Sequence, residues 1–310
     1  MLAVVLRPRF ERMPKHTLDR SAAPGLYALM ERVCAELGTR PVDVIAVDSR
    51  YGSGCTRVGL RRRRVLVLGL PLWETLTTDQ RLALLGHDLG CVSAEETLSA
   101  AWIRTALDAL IAWADVLRPG DAQDAARRDA MDGSPFDVGS SAGNRQSNTV
   151  RIGVALAQPL QEFLSRGALW FHRLLSRLKD RSSGQAEYRA DETAARVASA
   201  ASVDGLLRSL LLRDTALFAL ERAASGKGDL WEKLRADMAS VSDMELERRL
   251  RLSELRGDAS DNGPPTCLRM QFVRKLSSAD ATVTVSSTES ETIAAELLPV
   301  RDAIAEELRH

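Results

Sequence analysis

His87, Asp88 and Cys91 have the spacing of a metal-binding helix, but two of the three expected residue types are exchanged. The intact pattern, H-E-x-x-H, sets two imidazoles four residues apart on one helix face. Both bind zinc there, and the intervening glutamate acts as general base on the metal-bound water. In Gly86-His87-Asp88-Leu89-Gly90-Cys91 the first imidazole is present, Asp88 stands for the glutamate and Cys91 for the second imidazole. Aspartate is one methylene shorter than glutamate, and general-base work needs heavy atoms within about 2.6–3.2 Å of the transferred proton. A cysteine sulfur stands one bond beyond Cβ, whereas the far imidazole nitrogen lies across a ring. Cys91 therefore reaches the position of the missing nitrogen only if the helix shifts. Thiolate, imidazole and carboxylate are all zinc ligands, and a thiol bound to zinc is deprotonated by it. Cys91 reads either as such a ligand or, the favoured reading, as a small apolar residue filling the space of the lost ring.

The surroundings give this helix a defined start. Leu70-Pro71-Leu72-Trp73 supplies a proline turn, and Thr77 to Gln80 has capping-box spacing, so a helix is expected from about Asp79. Leu82, Leu85, Leu89 and Val92 recur at helical spacing and form its packing stripe. A zinc centre of this type takes a third ligand from a separate helix, a Glu followed four residues later by an Asp that orients a ligating histidine. Glu187-Tyr188-Arg189-Ala190-Asp191 has that form. With the strand-like Val65 to Gly69, the segment Ala186 to Ala195 and the later Pro264-Pro265-Thr266-Cys267-Leu268-Arg269, the chain resembles the M48 family of metallopeptidases, the gluzincins that include HtpX and the CAAX prenyl proteases. The last segment is similar to that family's H-P-P-T-x-x-R element.

The resemblance implies a mainly α fold with a small β-sheet or hairpin, a single domain over 1–310 and residues 264–310 as its C-terminal part. It implies His87 and Glu187 as metal ligands, with Cys91 in the third place, Asp191 behind them and Asp88 as a degenerate general base. Gly263 stands where the family has histidine, a third polar loss in one constellation. The expectation is a pseudopeptidase that binds a peptide or protein partner, or regulates an active relative, with zinc absent or weakly held. The alternative is an atypical zinc hydrolase that uses His87, Cys91 and Glu187 as ligands, Asp88 as base and Arg269 to stabilise the reacting carbonyl oxygen.

Composition bounds these readings. The 310 residues are 45% hydrophobic and 27% charged, enough to bury a substantial core. Forty-two basic and 42 acidic residues cancel, so no nucleic-acid partner is expected. Cys34, Cys55, Cys91 and Cys267 are scattered without a C-x-x-C pair and read as reduced thiols of a cytoplasmic chain. Neither Ala101 to Leu117 nor Val150 to Leu178 reads as a membrane span, because each carries several charges. Residues 167–178 have apolar and basic faces, suited to peripheral contact with a bilayer, to a partner helix or to covering the chain's own core. Four histidines, at 16, 87, 172 and 310, leave few bases for a Cys–His or Ser–His enzyme, and no nucleophile motif or phosphate loop is present.

Along the chain, Pro24 to Gly38 reads as a helix with a glycine C-cap, and Val42 to Val47 and Val65 to Leu68 read as strands. Between the strands a β-hairpin is expected, with Arg61 to Arg64 as a solvated edge or a docking patch. Residues 121–148, rich in Gly, Ser, Asn and Asp, read as a flexible loop. Ala186 to Leu255 reads as two or three helices broken at Gly205 and at Gly226 to Gly228. Ala281 to Val285 reads as a strand and Thr292 to Leu308 as a helix interrupted at Pro299.

Overall fold

The capping box at Thr77 forms in both directions: Thr77 N–H donates to Gln80 Oε1 at 3.0 Å, and Gln80 N–H donates to Thr77 Oγ1 at 3.4 Å. This reciprocal bond starts the helix that carries His87 and Cys91. A computed structural model describes residues 14–58, 63–95, 184–256, 264–276 and 280–309. All of them fall in one compact unit, made of Arg9–Thr97 and Ser182–His310. The segments 101–117, 121–148 and 167–178, and Gly263, lie outside the described residues.

The described residues are mostly helical, with one small mixed sheet. Its strands are β1 (His16–Leu18), β2 (Val44–Asp48), β3 (Ser53–Val58) and β4 (Arg63–Gly69), in the order β1-β2-β4-β3. β2 and β4 run parallel, with Ile45 opposite Leu66, while β1 and β3 pair antiparallel on the two flanks. Helix α1 (Pro24–Leu37) joins β1 to β2 and ends on Gly38, whose φ of 63° is the left-handed cap that glycine adopts without a Cβ penalty. Tyr27 ties α1 to the sheet: its hydroxyl donates to Leu18 O at 2.8 Å and accepts from Ile45 N at 3.0 Å.

β4 runs directly into α2 (Leu70–Thr75) and α3 (Thr78–Glu95). The junction is tight at Gly69, where a Cβ would stand 2.0 Å from Gly52 O and 2.1 Å from Arg50 O. The turn before β3 thus lies directly on the end of β4, and only glycine admits it. Next come α4 (184–197), α5 (Ala200–Leu211), α6 (Arg213–Ser225), α7 (Leu230–Ala239), α8 (Asp243–Arg256), α9 (Thr266–Val273) and α10 (Ser287–Arg309). Leu82, Leu85 and Leu89 of α3 share one buried cluster with Leu26, Met30, Leu66, Leu206, Leu207 and Trp231. This cluster holds α3 by its apolar face and leaves the His87 face for α4. Among the described residues no helix is long and apolar enough to cross a membrane.

Five expectations need correction. The stretch from Ala186 to Leu255 carries five helices, α4 to α8, rather than two or three. Gly205 lies inside α5 rather than at a break: it faces Gln80, and a Cβ there would stand 2.4 Å from Gln80 Nε2. Ala281 to Val285 is not a strand, because Thr282 N–H and Val283 N–H donate to Arg196 O and Val197 O and so cap the end of α4. Pro299 does not interrupt the last helix, which runs through it over Ser287–Arg309 with Ile293, Leu297, Val300 and Ile304 buried. Arg64 is not a solvated edge residue. It lies on the interior strand β4, 5% exposed, and its guanidinium donates to Arg40 O at 2.6 Å.

Gly69→Ala is expected to lower the unfolding free energy by about 2–3 kcal/mol, since the added methyl meets backbone that must shift. Gly184→Ala, whose Cβ would find nothing nearer than Pro264 Cδ at 3.9 Å, is expected to change it by under about 1 kcal/mol. Urea denaturation of the two variants measures the contrast.

Candidate functional site

Two glycines bring the chemistry together. Gly86 and Gly90, one turn apart on α3, face Ala194 and Ala190 on α4. A Cβ on Gly86 would stand 3.1 Å from Ala194 Cα, and one on Gly90 would stand 3.3 Å from Ala190 Cα. The helix backbones therefore approach closely, and the side chains next to the contact, His87 and Cys91 on one helix and Glu187 and Asp191 on the other, meet across it.

His87 is 9% exposed and sits at the centre. Its Nδ1 lies 3.1 Å from Asp191 Oδ1, and its Nε2 lies 3.4 Å from Glu187 Oε2 and 3.6 Å from Cys91 Sγ. One ring nitrogen thus faces a carboxylate with no exposed surface, while the other faces a carboxylate and a half-buried thiol. His87 Nε2, Cys91 Sγ and a Glu187 oxygen lie within 4.8 Å of one another, and imidazole, thiolate and carboxylate are a competent zinc donor set. Among the described residues these three could hold a metal ion.

Arg269, at the start of α9, closes the cluster. Its Nε donates to Asp191 Oδ2 at 2.8 Å and one terminal NH2 to Asp191 Oδ1 at 2.6 Å, a bidentate pair. Its other terminal nitrogen lies 3.0 Å from Glu187 Oε2, and the NH2 bonded to Asp191 also lies 3.4 Å from both ring nitrogens of His87. The edge-to-face contact of Tyr188 on α4 with Phe272 on α9, ring centres 5.1 Å apart, holds α9 against α4.

These contacts set the protonation states. Burial works against a charged His87, yet Cys91, Asp191 and Glu187 outweigh it and raise the imidazole well above its ordinary value. Burial also pushes Asp191 and Glu187 upward. The bonds from Arg269 and His87 overcome this and hold both carboxylates below their ordinary range. Asp88 behaves differently. Burial raises it to about 6 despite His87 and a 2.5 Å bond from Ser53 Oγ on β3. Asp88 is 5% exposed.

The structure gathers His87, Cys91, Glu187, Asp191 and Arg269 into one constellation, and Asp88 lies beside it with its carboxyl bonded to β3. Cys91 is half-buried with its sulfur toward His87, not fully enclosed as an apolar filler would be. All four cysteines are free thiols, and burial pushes Cys55 up to about 12. Sequence reasoning missed Ser53. Its only local signal is the Gly52-Ser53-Gly54 turn, and its meeting with Asp88 depends on β3 folding back along β4 over α3. It also missed that the Arg269 guanidinium would be engaged by two carboxylates. Compared with family models, curated proteins and solved structures, the chain matches none.

Two outcomes follow. In Asp88 the folded state binds its proton more tightly than the unfolded chain, so stability falls as pH rises from about 4 through 6. In chelator-treated protein, Asp88→Asn is therefore expected to stabilise by up to about 3 kcal/mol at pH 7.5 and by nothing near pH 4, as read from paired denaturation curves. Arg269→Met leaves Asp191 buried with His87 as its only charged partner, and a loss of about 3 kcal/mol is expected by the same measurement.

Proposed function

We propose that this chain is an M48-like metallopeptidase homologue in which hydrolysis has lapsed, a pseudopeptidase that binds an extended peptide or protein partner without cutting it. The observation that carries this reading is the position of Asp88. A general base must present an ionised carboxylate to a water held near the metal ligands. Asp88 instead is buried, and its carboxyl is taken up by a 2.5 Å bond from Ser53 Oγ. Arg269, which the alternative assigns to the reacting carbonyl, has its guanidinium nitrogens on Asp191 and Glu187.

The binding half of the reading rests on the sheet. β3 is an end strand of the four-stranded order and is tied to α3 through the Ser53–Asp88 bond, so the strand bordering the site is also a sheet edge among the described residues. Strand addition recognises an extended peptide by its backbone, with affinity from main-chain hydrogen bonds and no need for a reactive centre.

The convergence of His87, Cys91 and Glu187 favours a second reading, an atypical zinc hydrolase. Those three residues would hold the ion, and zinc when bound would polarise a substrate carbonyl and acidify a water. Asp88 would have to exchange Ser53 for that water before it could act as a base.

Zinc analysis of protein purified without chelator, together with digestion of an unfolded polypeptide such as reduced casein, tests the choice. The expected result is less than stoichiometric zinc and no digestion in the wild type, with zinc gained by the double variant Asp88→Glu and Cys91→His. Stoichiometric zinc lost on Cys91→Ala, accompanied by turnover that vanishes on His87→Ala, would overturn the proposal in favour of the hydrolase.

A further inference from the structure

Arg269 brings a full positive charge into contact with the residues that could hold a metal ion. One terminal nitrogen lies 3.0 Å from Glu187 Oε2, and that same oxygen faces His87 Nε2 at 3.4 Å. The other terminal nitrogen lies 3.4 Å from each ring nitrogen of His87 and donates to Asp191 Oδ1 at 2.6 Å. The guanidinium thus touches two of the three candidate ligands and the carboxylate behind them. It is also fixed there. Its Nε donates to Asp191 Oδ2 at 2.8 Å, which sets the plane of the fork, and its own helix is anchored by buried Cys267, Met270 and Val273. A guanidinium keeps its charge throughout the pH range in which proteins stay folded.

We propose that Arg269 is the resident cation of this constellation: it gives Glu187 and Asp191 the neutralisation that a divalent metal ion would give them, and its charge lowers the affinity of His87, Cys91 and Glu187 for such an ion. Arg269 is therefore an affinity-determining residue that acts on a divalent cation through the ligands. It is not a catalytic one.

Two physical effects carry the same sign. Of the two carboxylates that face His87, Arg269 offsets one negative charge, so a divalent ion meets a ligand set whose attraction is already halved. An ion bound through Glu187 Oε2 would also have the guanidinium as its immediate neighbour, on the same oxygen. The side chains of Arg269 and Asp191 are 11% and 1% exposed, and repulsion between like charges in such poorly solvated surroundings is stronger than in water. Removing the guanidinium charge therefore favours the metal twice over.

The inference rests on the pseudopeptidase reading and gives it a physical cause separate from Asp88. The test titrates zinc, and cobalt(II) as its absorbing stand-in, into the chelator-stripped full chain. Wild type is compared with Arg269→Met, with Arg269→Lys and with Arg32→Met, which removes the same charge from an exposed pair with Glu289. Competition with a chromophoric chelator gives the zinc affinity, thiolate-to-cobalt absorption reports Cys91, and denaturation with and without zinc gives the stability. Arg269→Met is expected to bind zinc roughly tenfold or more tighter than wild type, with new thiolate-to-cobalt absorption, and to regain with zinc the stability it lost. Arg269→Lys, which keeps the charge, and Arg32→Met, whose charge is screened by solvent, are expected to stay within about threefold of wild type. Equal zinc affinity in wild type and Arg269→Met would overturn the proposal and, where both are weak, leave the pseudopeptidase reading intact. Arg269→Lys binding zinc as tightly as Arg269→Met would also overturn it, as would an unfolded Arg269→Met that zinc does not refold, because the ion would then fail to replace the guanidinium. Stoichiometric zinc in wild type, bound still more tightly by Arg269→Met, would uphold the role of Arg269 and count against the pseudopeptidase reading.

Discussion

The site exists because two helices touch at the level of their backbones. Gly86 and Gly90 carry no side chain where α3 meets Ala190 and Ala194 of α4. That approach lets an imidazole on one helix reach two carboxylates on the other. A larger residue at either glycine would part the helices, and His87 would lose Asp191 and Glu187 together. The apolar stripe of Leu82, Leu85 and Leu89 supplies the opposing force by fixing α3 into the common core from its other side.

The close crossing concentrates charge in a poorly solvated place, and the structure answers with mutual compensation. Asp191, with no contact to solvent, is matched by the Nε and one terminal nitrogen of Arg269 and by His87; Glu187 meets the other terminal nitrogen of Arg269 and the second ring nitrogen of His87. Ionised groups in such surroundings are tolerated when each finds a partner of opposite sign and good geometry. Asp88 lies outside this exchange. Its hydrogen-bond partner is the neutral hydroxyl of Ser53, and burial, with Glu187 nearby, raises its carboxyl to about 6 against the pull of His87, Ser53 and Arg269. Two carboxylates one helix apart thus acquire opposite tendencies from their partners.

The sheet enters this economy through its edge. Gly69 allows the turn at Arg50 to Gly52 to lie on the end of β4. That turn sets where β3 begins, and β3 delivers Ser53 to Asp88. The end strand of the sheet and Asp88 on the helix are joined by the Ser53 hydrogen bond, so a ligand that pulled β3 outward would also change the surroundings of Asp88.

Much of this was legible in the residues themselves. The capping box at Thr77 and Gln80, the glycine cap at Gly38, the leucine stripe of α3 and the i, i+4 placements of His87 with Cys91 and of Glu187 with Asp191 are local patterns, and local backbone geometry dictates them. Periodicity failed where long-range contacts took over. Gly205 reads as a break until Gln80 is packed against it, the 281–285 segment reads as a strand until its amides cap α4, and Pro299 reads as a stop until the buried face on both sides holds the helix together. By itself the sequence determined which helix faces carry reactive groups. Only the tertiary structure decided that Asp88 bonds Ser53, that Arg269 serves two carboxylates and that Cys91 faces His87, because each depends on the distance between elements remote in the chain, and that distance is set by packing rather than by spacing.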